Sequence, residues 1–496
     1  MMLTKRILLG SAAALTAISS TQAADLPVKA KPVEYVRICN LYGAGFYYIP
    51  GSDICLKVGG YVQADYGWNV TGGRTQHYSG PAGAQDRTVL PYSTRNRAHF
   101  NFDSRTQTAY GTLRTYVAVH IDNENVNTIT VNPTRAFIQW AGFTFGHTKS
   151  FTDVPGTPSP DTFRSLHAFQ NHSDTGGNGT NQIAYTWELG NGMTLNVGAD
   201  ERRTKGIANL SNNIVTVGAN PATAYGPYQH PTPWVNFAVN QAWGRFAVSG
   251  IFNKVNATYY GATPGVTGYT PSAACAAQPG TSQCGDPDDK WGWAVLSGID
   301  IKAPWAGPGD HFGGFFSYGV GTAAYSAGSN MTSPSLFGGG NTVAFGVITD
   351  GVFINGGQFE LTTTWSAGAG YEHFWLPNVS TALYGTYTAV RYNDNVINSR
   401  LFCNGGGGQN IIVANNVTCD PGYNYWTVGM VNNWFPAPGF RLAIDVLYSR
   451  VETAFSGETV TLSKAAGLRP TGTYLAKDQG IVSVMFRAQR AFASGE

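Results

Sequence analysis

Charge is scarce in this chain: Asp, Glu, Lys and Arg make up 12% of 496 residues. Methionine is rare, at six, and leucine is sparse, which argues against a large helical protein. Beyond the N-terminus no apolar run approaches the roughly 20 residues of a membrane-spanning helix. No C-x-x-C spacing occurs and no histidines gather beside the cysteines, so zinc is disfavoured and no cofactor is implied. A G-x-S-x-G elbow is missing, which leaves a Ser-His-acid hydrolase without its nucleophile turn. The pairs Gly319 with Gly321 and Gly368 with Gly370 lie in strand-like patterns and are not nucleotide loops.

The first residues do carry a signal. Lys5-Arg6, the mostly apolar stretch from Ile7 to Ile18, and Thr21-Gln22-Ala23 have the grammar of a secretory leader cleaved after Ala23. The expected organisation is a signal peptide over 1–23, an N-terminal segment over 24–52 and a barrel domain over 53–492. Without the leader, 29 basic residues face 29 acidic ones, and a nucleic-acid partner is excluded because it would need a basic surface. Six cysteines in an exported chain favour disulfides, and they sit as local pairs: Cys39 with Cys55, Cys275 with Cys284, Cys403 with Cys419. Fifteen connectivities are possible for six cysteines, and the local one is favoured because each pair falls within one segment that reads as a loop.

What is abundant is Gly 62, Tyr 26, Phe 26 and Trp 12, a composition of strands, turns and interfacial aromatics. Alternation with a period of two recurs along the chain. In Phe440-Arg441-Leu442-Ala443-Ile444-Asp445-Val446 the apolar side chains share one face and Arg441 and Asp445 the other. Gln182 to Leu189 and Leu195 to Asp200 alternate about the turn Gly190-Asn191-Gly192.

Short turns near 105–109, 146–149, 190–192, 241–244, 304–310, 376–380 and 435–439 alternate with connections near 69–92, 122–133, 155–180, 202–231, 253–290, 327–356, 393–423 and 452–474. One short end and one long end is the habit of an outer-membrane barrel, not of a soluble sandwich. Sixteen strands are expected, from about Asp53–Trp68 to about Tyr474–Phe486, with a fifth near Ser150 to Asp153 and two readings open over 341–375. A barrel of that size leaves an aqueous lumen. Trp68, Phe145, Trp187, Trp234, Trp243, Trp293, Trp375, Trp426 and Trp434 fall at strand ends, as two interfacial girdles require.

Four stretches carry a resemblance: Val33-Glu34-Tyr35-Val36-Arg37-Ile38-Cys39, then Tyr42 to Gly51 and Cys55 to Val62, and again Asn101 to Tyr116. They resemble the porins of alphaproteobacterial outer membranes over nearly the whole mature chain, most strongly before residue 155 and in the final strand. The resemblance implies a trimeric general-diffusion porin, an all-β, 16-stranded antiparallel transmembrane barrel with short periplasmic turns, long extracellular loops and a third loop folded into the pore. It implies outer-membrane lipid and lipopolysaccharide, further copies of the chain and the barrel-assembly machinery as partners, with small hydrophilic solutes and ions as cargo. Porins usually end on an aromatic residue, whereas here Phe492 is followed by Ala493-Ser494-Gly495-Glu496.

The strand phases place Arg95, Arg97, Arg114 and Arg135 toward the lumen, because a charge on the lipid side costs about 2–4 kcal/mol at the midplane. The third long connection holds Asp153, Asp161 and Asp174 with Arg164, and Asp153 and Asp161 are the expected acidic partners across a constriction. Opposed signs there would order water and favour polar solutes. A second reading is a channel specific for a sugar or an anion, which the inward Tyr61, Tyr116 and Tyr384 leave open. A barrel hydrolase and an adhesin are the remaining rivals: the first lacks its nucleophile motif, and the second leaves lumen charges unexplained.

Overall fold

The computed structural model describes residues 37–493 apart from 71–73, 77–89, 126–127, 169–173, 210–224, 259–286, 329–330, 354–358, 401, 404–417 and 463–471. The leader over 1–23, and Cys275 with Cys284, lie outside the described residues.

Period-two alternation closes into a barrel of sixteen strands. In chain order they are β1 (Cys55–Trp68), β2 (Tyr92–Thr108), β3 (Gly111–Glu124), β4 (Thr128–Trp140), β5 (Phe143–Thr148), β6 (Thr180–Gly190), β7 (Met193–Asp200) and β8 (Thr232–Gln241). Then follow β9 (Gly244–Val255), β10 (Lys290–Lys302), β11 (His311–Val320), β12 (Thr363–Leu376), β13 (Val379–Arg391), β14 (Tyr423–Ala437), β15 (Phe440–Glu452) and β16 (Gln479–Ala493). Neighbours pair antiparallel throughout, and the ring shuts where Gly60–Trp68 meet Ala493–Val484. Closure leaves no sheet edge to satisfy inside a bilayer.

Apolar residues point outward: Val62, Phe100, Phe102, Val117, Ile138, Phe316, Leu383, Val428, Ile444 and Phe486 are all exposed. Their polar strand neighbours point in, with Asp65, Arg95, His99, Asn101, Asp103 and Asp445 buried. One end carries tight turns such as 109–110, 141–142, 191–192 and 438–439, and the other carries the long connections. At Asn191-Gly192 both φ angles are positive, +52° and +71°, the geometry that favours Asn-Gly between two strands.

Several expected boundaries move. The fifth strand is Phe143–Thr148, and Ser150 to Asp153 belong to the connection after it. Its turn is Ala141-Gly142, with φ +51° and +86°, rather than 146–149, because Gly146 stays in the ladder opposite Phe137. The connection expected over 122–133 shrinks to 125–127, since β3 and β4 pair as far as Glu124 and Thr128. The last strand runs Gln479–Ala493, while Gly472–Ala476 pair instead with Thr459–Leu462 in a loop sheet. Trp234 is no girdle residue: it is 4% exposed and donates its indole N–H to Asp200 at 2.6 Å inside the barrel. The other expected girdle residues lie on the outer face, Trp68, Trp187, Trp243, Trp293, Trp375 and Trp434 among them.

The connection over 149–179 folds into the barrel. A short turn of helix, Pro160–Phe163, ends where Phe163 stacks on His311 at 5.2 Å. The wall is thin there: a Cβ on Gly370 would lie 2.7 Å from the Phe163 ring, and one on Gly298 would lie 2.1 Å from the Pro155 carbonyl. Beyond Phe163 the backbone N–H groups of Leu166 and His167 donate to Asp445 of β15, and that of Ala168 donates to the Arg74 carbonyl of the first connection.

The outer connections have a core of their own. Phe345, Val347, Ile348, Tyr392, Val396, Phe402, Phe455 and Tyr474 are buried together, beside the Cys403–Cys419 disulfide. Thr342–Phe345 pair parallel with residues of Gly472–Ala476, and Gly351–Phe353 with Ile207–Asn209. A second disulfide, Cys39–Cys55, ties the N-terminal segment to β1, where Tyr47 and Tyr48 pair with Leu56 and Cys55 beyond the end of β16.

Candidate functional site in the barrel lumen

The inner faces of β16, β1, β2 and β3 carry a run of ion pairs. Asp65 lies between Arg95 and Arg487, each at 2.6 Å, and also accepts from Gln63. Arg97 grips Asp122 across β2 and β3. Toward the end with the short turns, Asp103 accepts from both Arg105 and Arg114. Arg114 also donates to Gln139 at 3.1 Å and lies over the Tyr116 and Phe137 rings. Each guanidinium is therefore paired or stacked, as buried charge requires.

On the opposite side stands the inward connection. Lys149 holds Asp161 at 2.8 Å and Asp174 at 3.4 Å. Burial pulls the Lys149 ammonium down, but Asp174, Asp161 and Asp153 outweigh it and hold its pKa above the ordinary lysine range. Asp153 accepts from the Thr175 N–H and hydroxyl, which closes the base of the connection. Burial, with the neighbouring Asp174 charge, pushes the Asp153 carboxyl up against the pull of Lys149 and Arg203. Arg164 pairs with Glu372 and lies over the Phe374 and Phe435 rings.

Exposure sorts these groups. Asp161 is 64% exposed, Lys149 and Arg164 37% each, Arg114 28% and Arg97 14%, so these reach the open lumen. Arg95 is 3% exposed and stands behind them. Of the six expected site residues, Arg95, Arg97, Arg114 and Arg135 all lie on the inner face. Arg135 turns its guanidinium onto the Gly176 and Gly177 carbonyls of the inward connection, while Asp161 faces Lys149 rather than an arginine. Asp153 is spent on Thr175.

Sequence reasoning overlooked Lys149, Arg487, Asp65 and Asp122. The last three sit in plain alternation, as in Val62-Gln63-Ala64-Asp65, and were legible there. Lys149 follows the strand whose ends were misplaced.

In comparison with known proteins, the sequence profile described as the Porin subfamily matches residues 25–485. Porin Omp2a of Brucella abortus is 31% identical over 307 residues, covering 60% of this chain and 78% of that protein. Outer membrane protein y4fJ of Sinorhizobium fredii is 30% identical over 225 residues, covering 44% of this chain and 60% of that protein. Among solved structures, the outer membrane channel DcaP of Acinetobacter baumannii superposes with a TM-score of 0.56 at 13% identity, over 90% of this chain and 99% of that one, a likeness of fold.

Proposed function

The chain belongs to the porin subfamily of outer-membrane proteins, and from that membership we propose a water-filled channel for passive diffusion of ions and small hydrophilic solutes. The observation that carries the reading is the lumen beside the inward connection, where Arg97 on the wall and Lys149, Asp161 and Arg164 on the connection are all partly exposed. A passage lined by both signs admits hydrated polar solutes and disfavours apolar ones. Arg95, Arg97, Arg114 and Arg135 form its basic wall and Asp161 its acidic edge, with Asp153 fixing the loop that carries the edge.

A trimer fits the outer face. β5 has six residues, too few to cross an apolar band about 25 Å tall. Beside it His147 bonds Asn181, and Asn181 bonds Glu201, a polar chain on an outward phase that lipid would not satisfy. Neighbouring copies would cover both. Lipid and lipopolysaccharide would meet the rest of the belt, and Phe492 near the end of β16 would serve the barrel-assembly machinery.

The alternative is a channel specific for a sugar or an anion, favoured by arginines stacked on aromatic faces, Arg114 on Tyr116 and Phe137 and Arg164 on Phe374 and Phe435. Reconstitution into planar bilayers and liposomes separates the readings. Stepwise conductance with solute flux linear in concentration supports diffusion, saturating flux supports specificity, and a lack of conductance removes both.

A further inference from the structure

Outside the ion pairs, β2 and β3 carry a second cluster. His99 and His120 are direct cross-strand partners near mid-height of the wall, and their ring centroids lie 4.6 Å apart at 65°. Tyr61 of β1 stacks on His99 at 4.8 Å. Neither imidazole hydrogen-bonds a described residue, and the Nδ1 of His99 is buried with no partner. Both residues are 7% exposed, so each keeps an edge on the lumen.

Every charged neighbour is already engaged. Arg97 is held by both oxygens of Asp122 one step along the ladder, Arg95 by Asp65, and Arg135 by the Gly176 and Gly177 carbonyls, whose segment passes close to the His120 ring. Two imidazoles in ring contact, one with a buried unpartnered nitrogen and neither bound to a carboxylate, form a donor pair that oxygen-seeking cations leave alone. Borderline transition-metal ions prefer it.

We propose that His99 and His120 form a lumen-wall subsite for divalent Cu, Ni or Zn ions, completed by water. Directly opposed residues on antiparallel strands have Cβ atoms about 4.5–5.5 Å apart, which lets both rings reach one ion. Among the described residues no group of three or more His, Cys, Asp or Glu could hold a metal, so the protein supplies two ligands and the site is of micromolar rather than nanomolar strength. Arg135, one residue of net positive charge beside it, weakens it further and makes binding stronger at high salt. The subsite depends on the channel reading only in that lumen water must reach the wall.

The test is calorimetric titration of the purified full-length barrel in detergent with CuCl2, NiCl2, ZnCl2 and MgCl2. The expected result is one Cu ion per chain bound tightest, Ni and Zn weaker and Mg not at all, in the order set by imidazole donors. His99→Phe, which keeps a ring for Tyr61 to stack on, and His120→Phe should each weaken binding at least about tenfold, a factor worth 1.4 kcal/mol. His373→Phe should leave it unchanged. Strand-rich circular dichroism of each variant shows that the barrel has formed. In planar bilayers the same ions should cause a flickering block that both lumen variants abolish. Binding that persists in both variants, or none up to millimolar metal in the parent, overturns the proposal. Histidine-dependent binding by a barrel that does not conduct would sink the channel reading and leave the subsite standing.

Discussion

Arg97 and Asp122 meet across β2 and β3 through two parallel hydrogen bonds, Nε to Oδ1 at 2.6 Å and Nη2 to Oδ2 at 2.7 Å. The arginine is the member of the pair that touches the lumen, at 14% exposed against 4% for the acid. Replacing Arg97 with Ser therefore both removes a positive charge and bares a negative one. Permeability should shift several-fold toward cations, and adding Asp122→Asn should reverse most of that shift. Arg97→Ser with Arg114→Ser should also widen the passage. Reversal potentials under a salt gradient measure this, and the effect should fade from 0.01 M to 1 M salt as the screening length drops from about 30 Å to 3 Å. Unchanged potentials would remove Arg97 from the conducting path.

Asp161 is the most exposed acid of the inward connection, and its partner Lys149 is also held by Asp174. Asp161→Asn should shift permeability toward anions and barely change stability, because an exposed ion pair contributes about 0–1 kcal/mol. Lys149→Gln should act in the opposite direction and loosen the connection as well, since it leaves Asp161 and Asp174 without their cation. Thermal melts paired with reversal potentials distinguish the two.

A pH dependence is built into the outer loops. Asp350 is buried, accepts from the Lys205 and Ala323 N–H groups and the Tyr225 hydroxyl, and is pushed by that burial up to about 6. A carboxyl raised in the folded state adds stability that is complete below its free value of 3.8 and is lost as pH rises through about 6. Lys205 is lowered by burial to about 8, so its own contribution changes only above that pH and does not offset the first. The pairing of Gly351–Phe353 with Ile207–Asn209 should exchange its amide hydrogens more slowly at pH 5 than at pH 7.5, after correction for intrinsic rates. Between those two pH values the effect is about 1.4 kcal/mol, the one unit of the rise that lies between pH 5 and about 6. Asp350→Asn should flatten the difference, and a difference that survives it would assign the effect elsewhere.

Gly370→Val tests how the inward connection is seated. Its Cβ would crowd Phe163, which is fully buried, and overpacking of that kind costs about 1–3 kcal/mol. Open-channel noise should rise while the strand content of the barrel stays the same. A quiet channel would mean that Phe163 does not hold the connection.

The barrel was legible because period-two alternation has one physical meaning when lipid lies on one side and water on the other, as β2 and β15 show. Strand ends were harder. Ala141-Gly142 carries no Asn or Asp to announce a turn, and the next glycine, Gly146, mimics one inside the ladder. Tyr474 alternates with its neighbours like a wall residue but pairs with Val460 in a loop sheet, a choice made by the buried loop core. Trp234 was misread because an aromatic at a strand end fits either face, and Asp200, which decides it, is 34 residues away. The inward phase of the arginines could be read from the sequence. Which acid meets which arginine could not, since Asp65, Asp122 and the Gly176 carbonyl reach them only through register and loop return.

Gly298, Gly313 and Gly370 keep the inner wall of β10, β11 and β12 bare where the inward connection rests. The calibre of the passage is thereby set by atoms that are missing. Each methyl added at one of these positions would push the connection a step toward the arginine wall without altering any charge. The arginine wall, in turn, is carried by β16, β2, β3 and β4, on the other side of the opening. Bore and polarity are thus written in separate places along the chain, and a lineage could retune how large a solute passes while keeping which sign it prefers.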